Sequence, residues 1–377
     1  MSVEIRPCYV VRHRRFLAGA LACLALLIAG CATEPGPGVK AGPTPAEARA
    51  TITRLLPAGT SDRAGWATDM YAAFAALRIA PSPENICAVV AVTEQESSFN
   101  ADPAVPGLPK IAWSEIDRRA ERAGVPSLLV HAALQLSSPD GRSYSERIDH
   151  VRTEKELSDI FQDFIGMVPL GKRLFAGWDP VRTGGPMQVG VAFADRHVAM
   201  KPYPYPIEKS IRDEVFTRRG GLYFGIAHLL DYPASYDRYL YRFADFNAGQ
   251  YASRNAAFQS AVSSASGIPL DPDGDLLPGD DSKTTGSTEL AVKVLAARLD
   301  LSEGSIHRAL EQGRGEGFER SALYQRVFAL AEQIEGRPLP RAVLPRIRLH
   351  SPKITRSLTT EWFANRVDER FRRCLAR

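Results

Sequence analysis

The residues best suited to chemistry lie in three short segments of this 377-residue chain. In residues 86–100, ICAVVAVTEQESSFN, every residue from Ile86 to Val92 is apolar or small, and the segment then meets two acids, Glu94 and Glu96. Such a run reads as a helix buried nearly all round. Burial disfavours a carboxylate, and the negative end of the helix dipole disfavours it further, so both effects raise the pKa towards the range a general acid needs. Two positions along a helix turn through about 200°, so at most one of the two acids shares a given direction. The second segment, residues 184–189 (GGPMQV), sets the amide of Gln188 and the thioether of Met187 beside flexible backbone. The third, residues 244–249 (ADFNAG), sets the amide of Asn247 after the ring of Phe246.

The elements that must hold these segments read as helices. ATDMYAAFAALRI, EKELSDIFQDFIGM and GLYFGIAHLL carry apolar residues at three- and four-residue spacings, and no run of alternating strands competes. Residues 270–288 break the pattern with Pro, Gly and Asp, after which helical periodicity resumes. Asp271, Asp273 and Asp275 open like a calcium loop, but Gly274 stands fourth rather than sixth and Ser282 occupies the twelfth place, where a glutamate is needed. Residues 313–317 (GRGEG) form a turn, since no strand precedes them. With neither HExxH nor GxSxG in the chain, no metal and no cofactor is expected.

Composition is that of an ordinary globular chain, 45% hydrophobic and 24% charged. Of 47 basic and 43 acidic residues, Arg6, Arg12, Arg14, Arg15 and Glu4 fall in the first thirty, so their removal leaves 43 and 42. That balance argues against nucleic acid as a partner. Residues 16–30 (FLAGALACLALLIAG) follow Arg-His-Arg-Arg and rise only roughly 22 Å as a helix, short of the ~30 Å core of a bilayer. They read as a signal peptide over residues 1–30, and Ile28-Ala29-Gly30-Cys31 resembles the bacterial lipobox, which implies lipidation at Cys31. Ala32, by resemblance to other lipoproteins, favours the periplasmic face of the outer membrane. Residues 31–47 read as a flexible tether. After processing only Cys87 and Cys374 remain as thiols, and in an oxidising compartment a disulfide between them is expected.

Taken in order, Glu96-Ser97-Ser98-Phe99, Gly185-Pro186-Met187-Gln188 and Ala244-Asp245-Phe246-Asn247-Ala248-Gly249 resemble the three signatures of the soluble lytic transglycosylases. Residues 221–230 (GLYFGIAHLL) look like the helix that precedes the third signature in that family. The resemblance covers roughly residues 60–265 and implies a mainly α, lysozyme-like fold with a cleft for peptidoglycan glycan strands. It implies Glu96 as the catalytic acid and base, with the muramoyl C6 hydroxyl as the nucleophile and a 1,6-anhydro product. That chemistry needs one carboxylate where most glycosidases need two. Ser97 then orients Glu96 or contacts sugar, Gln188 and Asn247 offer amides to acetamido groups, and Met187 and Phe246 pack the cleft walls.

Two departures stand against the family pattern. Phe246 replaces the usual tyrosine, so its hydroxyl must come from Tyr223 or Tyr251 or be lost. Gln188 follows Glu96 by 92 residues, which implies an inserted helical subdomain over 103–182 within a domain spanning 48–265. A loop over 266–288 and a helical region over 289–377 complete the chain. Residues 337–377 hold eleven Arg and Lys against three acids. The end-to-end layout also looks like a proteobacterial lipoprotein family catalogued as a domain of unknown function. A catalytically silent peptidoglycan-binding or envelope scaffold lipoprotein is therefore the alternative reading, and a hydrolytic muramidase with a second carboxylate near Glu96 a third.

Overall fold

The computed structural model describes residues 42–377, apart from 168, 176–177, 280–283 and 350–357. The expected signal peptide, the expected lipidation site Cys31 and the first part of the expected tether lie outside the described residues. Thr44 opens the first helix with a capping box: its hydroxyl accepts from the Glu47 amide, while the Glu47 carboxylate accepts from the Thr44 amide. Among the described residues regular structure starts at Pro45, three residues before the start expected from sequence, because a cap and a proline at the first turn favour the helix there.

The chain is mainly helical. In order, the elements are α1 (Pro45–Leu55), α2 (Arg63–Leu77), α3 (Pro83–Glu96), α4 (Leu108–Arg122), α5 (Ser127–Ala133), α6 (Tyr144–Asp149), α7 (Glu154–Gly166) and α8 (Gly171–Phe175). A short antiparallel hairpin follows, β1 (Thr183–Gly184) and β2 (Val189–Gly190), pairing Gly184 with Val189. Then come α9 (Val191–Met200), α10 (Ile211–Val215), α11 (Arg218–Leu230), α12 (Tyr239–Ala248) and α13 (Ala252–Ser266). The remainder is α14 (Ser287–Val294), α15 (Ala296–Leu299), α16 (Glu303–Glu311), α17 (Ala322–Glu335), the strand pair β3 (Arg348–Leu349) and β4 (Leu358–Thr359), and α18 (Thr360–Leu375). Pro43–Arg377 forms one compact unit. No helix among the described residues is long and apolar enough to cross a membrane.

Three apolar cores organise this unit. The first gathers α1, α2, α3, the hairpin, α11, α12 and α18. At its centre α3 runs from Ile86 to Val92 with every side chain fully buried, each larger one worth about 1.5–3 kcal/mol. Ser82 caps this helix by accepting from the Asn85 amide at 3.2 Å, and Pro83 starts its first turn. The second core joins α13 to α14–α17. The third is built from residues 108–181 and joined by Phe216 from outside that segment. Within residues 103–182 the backbone bond from Val105 N to Arg152 O, 2.8 Å, joins the stretch before α4 to the stretch before α7.

The helical region after the 266–288 loop divides between two cores. Helices α14–α17 pack against α13, whereas α18 returns to lie on α3 and α12. Cys87 of α3 and Cys374 of α18 are joined in a disulfide with Cα atoms 5.5 Å apart, and both cysteines are fully buried. Beside them Glu94 faces two α18 arginines, Arg373 at 3.4 Å and Arg370 at 3.6 Å. Arg377 donates to the Leu55 carbonyl at 2.6 Å. Much of the basic C-terminal segment is therefore spent on internal partners.

Candidate active site

Helix α3 ends at Glu96 because the next residues cannot continue it. Ser97 caps the helix, and Ser98 and Phe99 both turn into the left-handed region, with φ of 51° and 62°. Neither residue adopts that conformation without cost, and strain of this kind collects at functional sites. Phe99 is buried, its ring edge-on to Trp66 at 5.2 Å, and this packing holds the turn. Glu96 is half-buried at the rim of the first core. Ser97 Oγ donates to the Thr93 carbonyl at 3.2 Å, so its hydroxyl serves the end of its own helix.

The second segment folds as the turn of the β1–β2 hairpin. Its close approach dictates two glycines of α11: a Cβ on Gly225 would lie 2.4 Å from the Met187 sulfur, and one on Gly221 would lie 2.4 Å from Pro186 Cδ. Met187 is fully buried and serves as core. Gln188 is half-buried with φ of 51°, a further strained non-glycine position after Ser98 and Phe99. Its Nε2 donates to the Gly185 carbonyl at 3.3 Å, and its Oε1 accepts from Thr183 Oγ1 at 3.4 Å.

The third segment ends α12 and turns into α13. Asp245 is fully buried and accepts from the hydroxyls of Tyr232 (3.0 Å) and Tyr236 (2.7 Å) and the amides of Tyr251 (3.0 Å) and Ser253 (2.6 Å). Burial pushes its pKa up, against these hydrogen bonds, which favour the carboxylate. Asp245 thereby fixes the turn through Tyr251, whose φ of 67° is a further left-handed position. Phe246 packs in the first core, and Asn247 Oδ1 accepts from Thr360 Oγ1 at the start of α18, 2.8 Å.

Residues 96, 188 and 247 thus sit at the edges of one core, to which Val92, Phe99, Met187, Val189 and Phe246 all contribute. Tyr223 does not join them at the surface. It is buried, and its hydroxyl lies 3.2 Å from His197 Nε2 and donates to the Pro202 carbonyl at 3.4 Å, so it is a core residue rather than a sugar contact. Tyr251 is also buried, with the Arg254 guanidinium 4.2 Å from its ring centre.

Sequence reasoning missed Thr183, Thr360 and His228. The first two orient the candidate amides, and only their helix-start or strand-start positions mark them in the sequence. His228 lies against Phe246, ring centres 5.2 Å apart, with Nε2 3.2 Å from the Phe246 carbonyl. Burial pulls its pKa down to about 4, so the imidazole is neutral at pH 7. Its Nδ1 has no hydrogen-bond partner among the described residues. A hollow of about 780 Å³ lies elsewhere, in the inserted helices, and reaches these segments only as far as Thr183.

Residues 59–377 match the family described as "Protein of unknown function (DUF1615)". The chain belongs to the DUF1615 family. This DUF1615 chain is 56% identical over 357 residues to a protein of Escherichia coli (strain K12) named "Uncharacterized protein YaiW", covering 94% of the chain and 97% of that relative. No solved structure matches it.

Proposed function

We propose that this DUF1615 protein is a murein lytic transglycosylase of lysozyme-like fold, lipid-anchored through Cys31 on the periplasmic face of the outer membrane. The observation that supports this most is that three signature segments, spread over more than 150 residues, all contribute to one core and leave Glu96, Gln188 and Asn247 partly exposed at its edges. Left-handed non-glycine backbone at Ser98, Phe99, Gln188 and Tyr251 adds to it.

In this reading Glu96 donates its proton to the oxygen bridging N-acetylmuramic acid and N-acetylglucosamine as the C1–O bond breaks. Its carboxylate then takes the proton of the muramoyl C6 hydroxyl, whose oxygen bonds to C1 and closes the 1,6-anhydro ring. No water is consumed. The amides of Gln188 and Asn247 exchange their internal partners, Gly185 and Thr183 in one case and Thr360 in the other, for acetamido groups of the glycan.

A silent peptidoglycan-binding lipoprotein is the second reading. Phe246 favours it, since Tyr223 spends its hydroxyl on His197 and Pro202 and does not replace the family's phenol. Release of soluble fragments from purified sacculi separates the two. Glu96→Gln abolishes release with an unchanged melting temperature if the protein is an enzyme; no release by the native protein assigns it to the scaffold class.

A further inference from the structure

The inserted helices enclose a hollow that their own side chains do not fill. It measures about 780 Å³, within the range of about 300–1,000 Å³ typical of small-molecule sites, and its wall is mainly apolar, with Ala112, Leu134, Ile148 and Ile160 at the bottom. An empty apolar hollow destabilises a fold in proportion to its volume, so an apolar occupant would stabilise this one. The mouth is apolar too: Val125, Phe175 and Trp178 line the hollow yet remain 41%, 37% and 50% exposed. Three arginines, Arg118, Arg119 and Arg182, stand among the lining residues against Glu115 and Glu154. Arg118 and Arg119 share Glu115, and Glu154 has a partner of its own. Arg182 is exposed and makes no ion pair among the described residues. A deep apolar wall with surplus positive charge at its edge matches an amphiphile with one apolar tail and a negative head.

We propose that this hollow binds a single acyl chain carrying an anionic head group, tail inward and head towards Arg182. The inference does not depend on the glycan-cleaving reading, because no residue of that site is needed.

Residues 43–377 and the full chain are titrated with decanoate, dodecanoate and tetradecanoate, following tryptophan fluorescence and calorimetric heat. Burial of each methylene predicts about fifteenfold tighter binding for every two carbons added. Trp178→Phe removes most of the fluorescence change. Dodecanol binds more weakly than dodecanoate, and Arg182→Ala closes that gap while keeping the chain-length slope. Lysophosphatidylglycerol with a dodecanoyl chain identifies the source: tighter binding than dodecanoate points to a membrane lipid, equal or weaker binding to a free fatty acid, and either supports the site. Val130→Trp, placed in the wall on a short half-buried stretch, blocks binding. Absence of saturable binding, a flat chain-length series, or unchanged affinity in folded Val130→Trp overturns the proposal. Binding by residues 43–377 but not by the full chain also overturns it, since the first 42 residues would then be the occupant. Should Val130→Trp not fold, the chain-length series on the native protein decides alone.

Discussion

Replacing Cys87 and Cys374 together by alanine removes the covalent tie between the helix that ends at Glu96 and the last helix of the chain. The bond closes a loop of 287 residues, and the chain-entropy relation for that length gives an upper figure of roughly 6 kcal/mol. The compact unit from Pro43 to Arg377 has 335 residues. At about 2.1 cal/mol/K of unfolding entropy per residue, its stability near Tm changes by roughly 0.7 kcal/mol for each degree, so losing the bond lowers Tm by up to about 8 °C. Both cysteines are fully buried, so alanine also loses some packing; reduced native protein, which keeps both side chains, separates that loss from the loss of the bond. Scanning calorimetry on oxidised, reduced and double-alanine protein, with alkylation and mass spectrometry to count thiols, makes the comparison. Two free thiols in the oxidised sample, or a drop under about 2 °C on reduction, would refute the reasoning.

Three further outcomes follow from the geometry. Glu94→Gln keeps glycan cleavage but loosens α18 by about 1 kcal/mol, because Glu94 serves Arg370 and Arg373; equal loss of activity in Glu94→Gln and Glu96→Gln contradicts the choice of acid. Phe246→Tyr is tolerated and raises turnover by up to about tenfold if the new hydroxyl bonds a charged group in the transition state; collapse of activity at normal stability shows a site built around the phenyl ring. Burial of His228 gives a pKa of about 4 in the folded state against about 6.5 unfolded, so its share of stability is complete above pH 6.5 and is lost as pH falls to 4, roughly 3 kcal/mol in all. Urea midpoints of native and His228→Gln protein between pH 7 and 4 check this; parallel curves would contradict it.

The mainly helical class and most helix positions were legible because apolar spacing reports which face is buried. The role of Tyr223 was not. Residues 220–227 are buried all round, so periodicity there points to no surface, and only the contact with His197 shows which way the hydroxyl turns. The bond from Thr360 to Asn247 spans 113 residues, and nothing local to either residue signals it. The excess of basic residues over 337–377 does not tell which way they turn; α18 lies back on α3 with Arg370 and Arg373 turned to Glu94, a choice made by tertiary packing. The hollow in the inserted helices was equally hidden. Leu134, Ile148 and Ile160 have the spacing of core residues, and spacing does not reveal that their volumes fail to fill the space between them.

The central claim is intramolecular glycan cleavage driven by Glu96. Its most direct test is the mass of the fragments released when residues 43–377 are incubated with purified sacculi. Fragments one water lighter than hydrolytic muropeptides, present with native protein and absent with Glu96→Gln, are the predicted result. Fragments of full hydrolytic mass would assign the protein to the muramidases and require a second carboxylate, and intact sacculi after exhaustive incubation would contradict the account altogether.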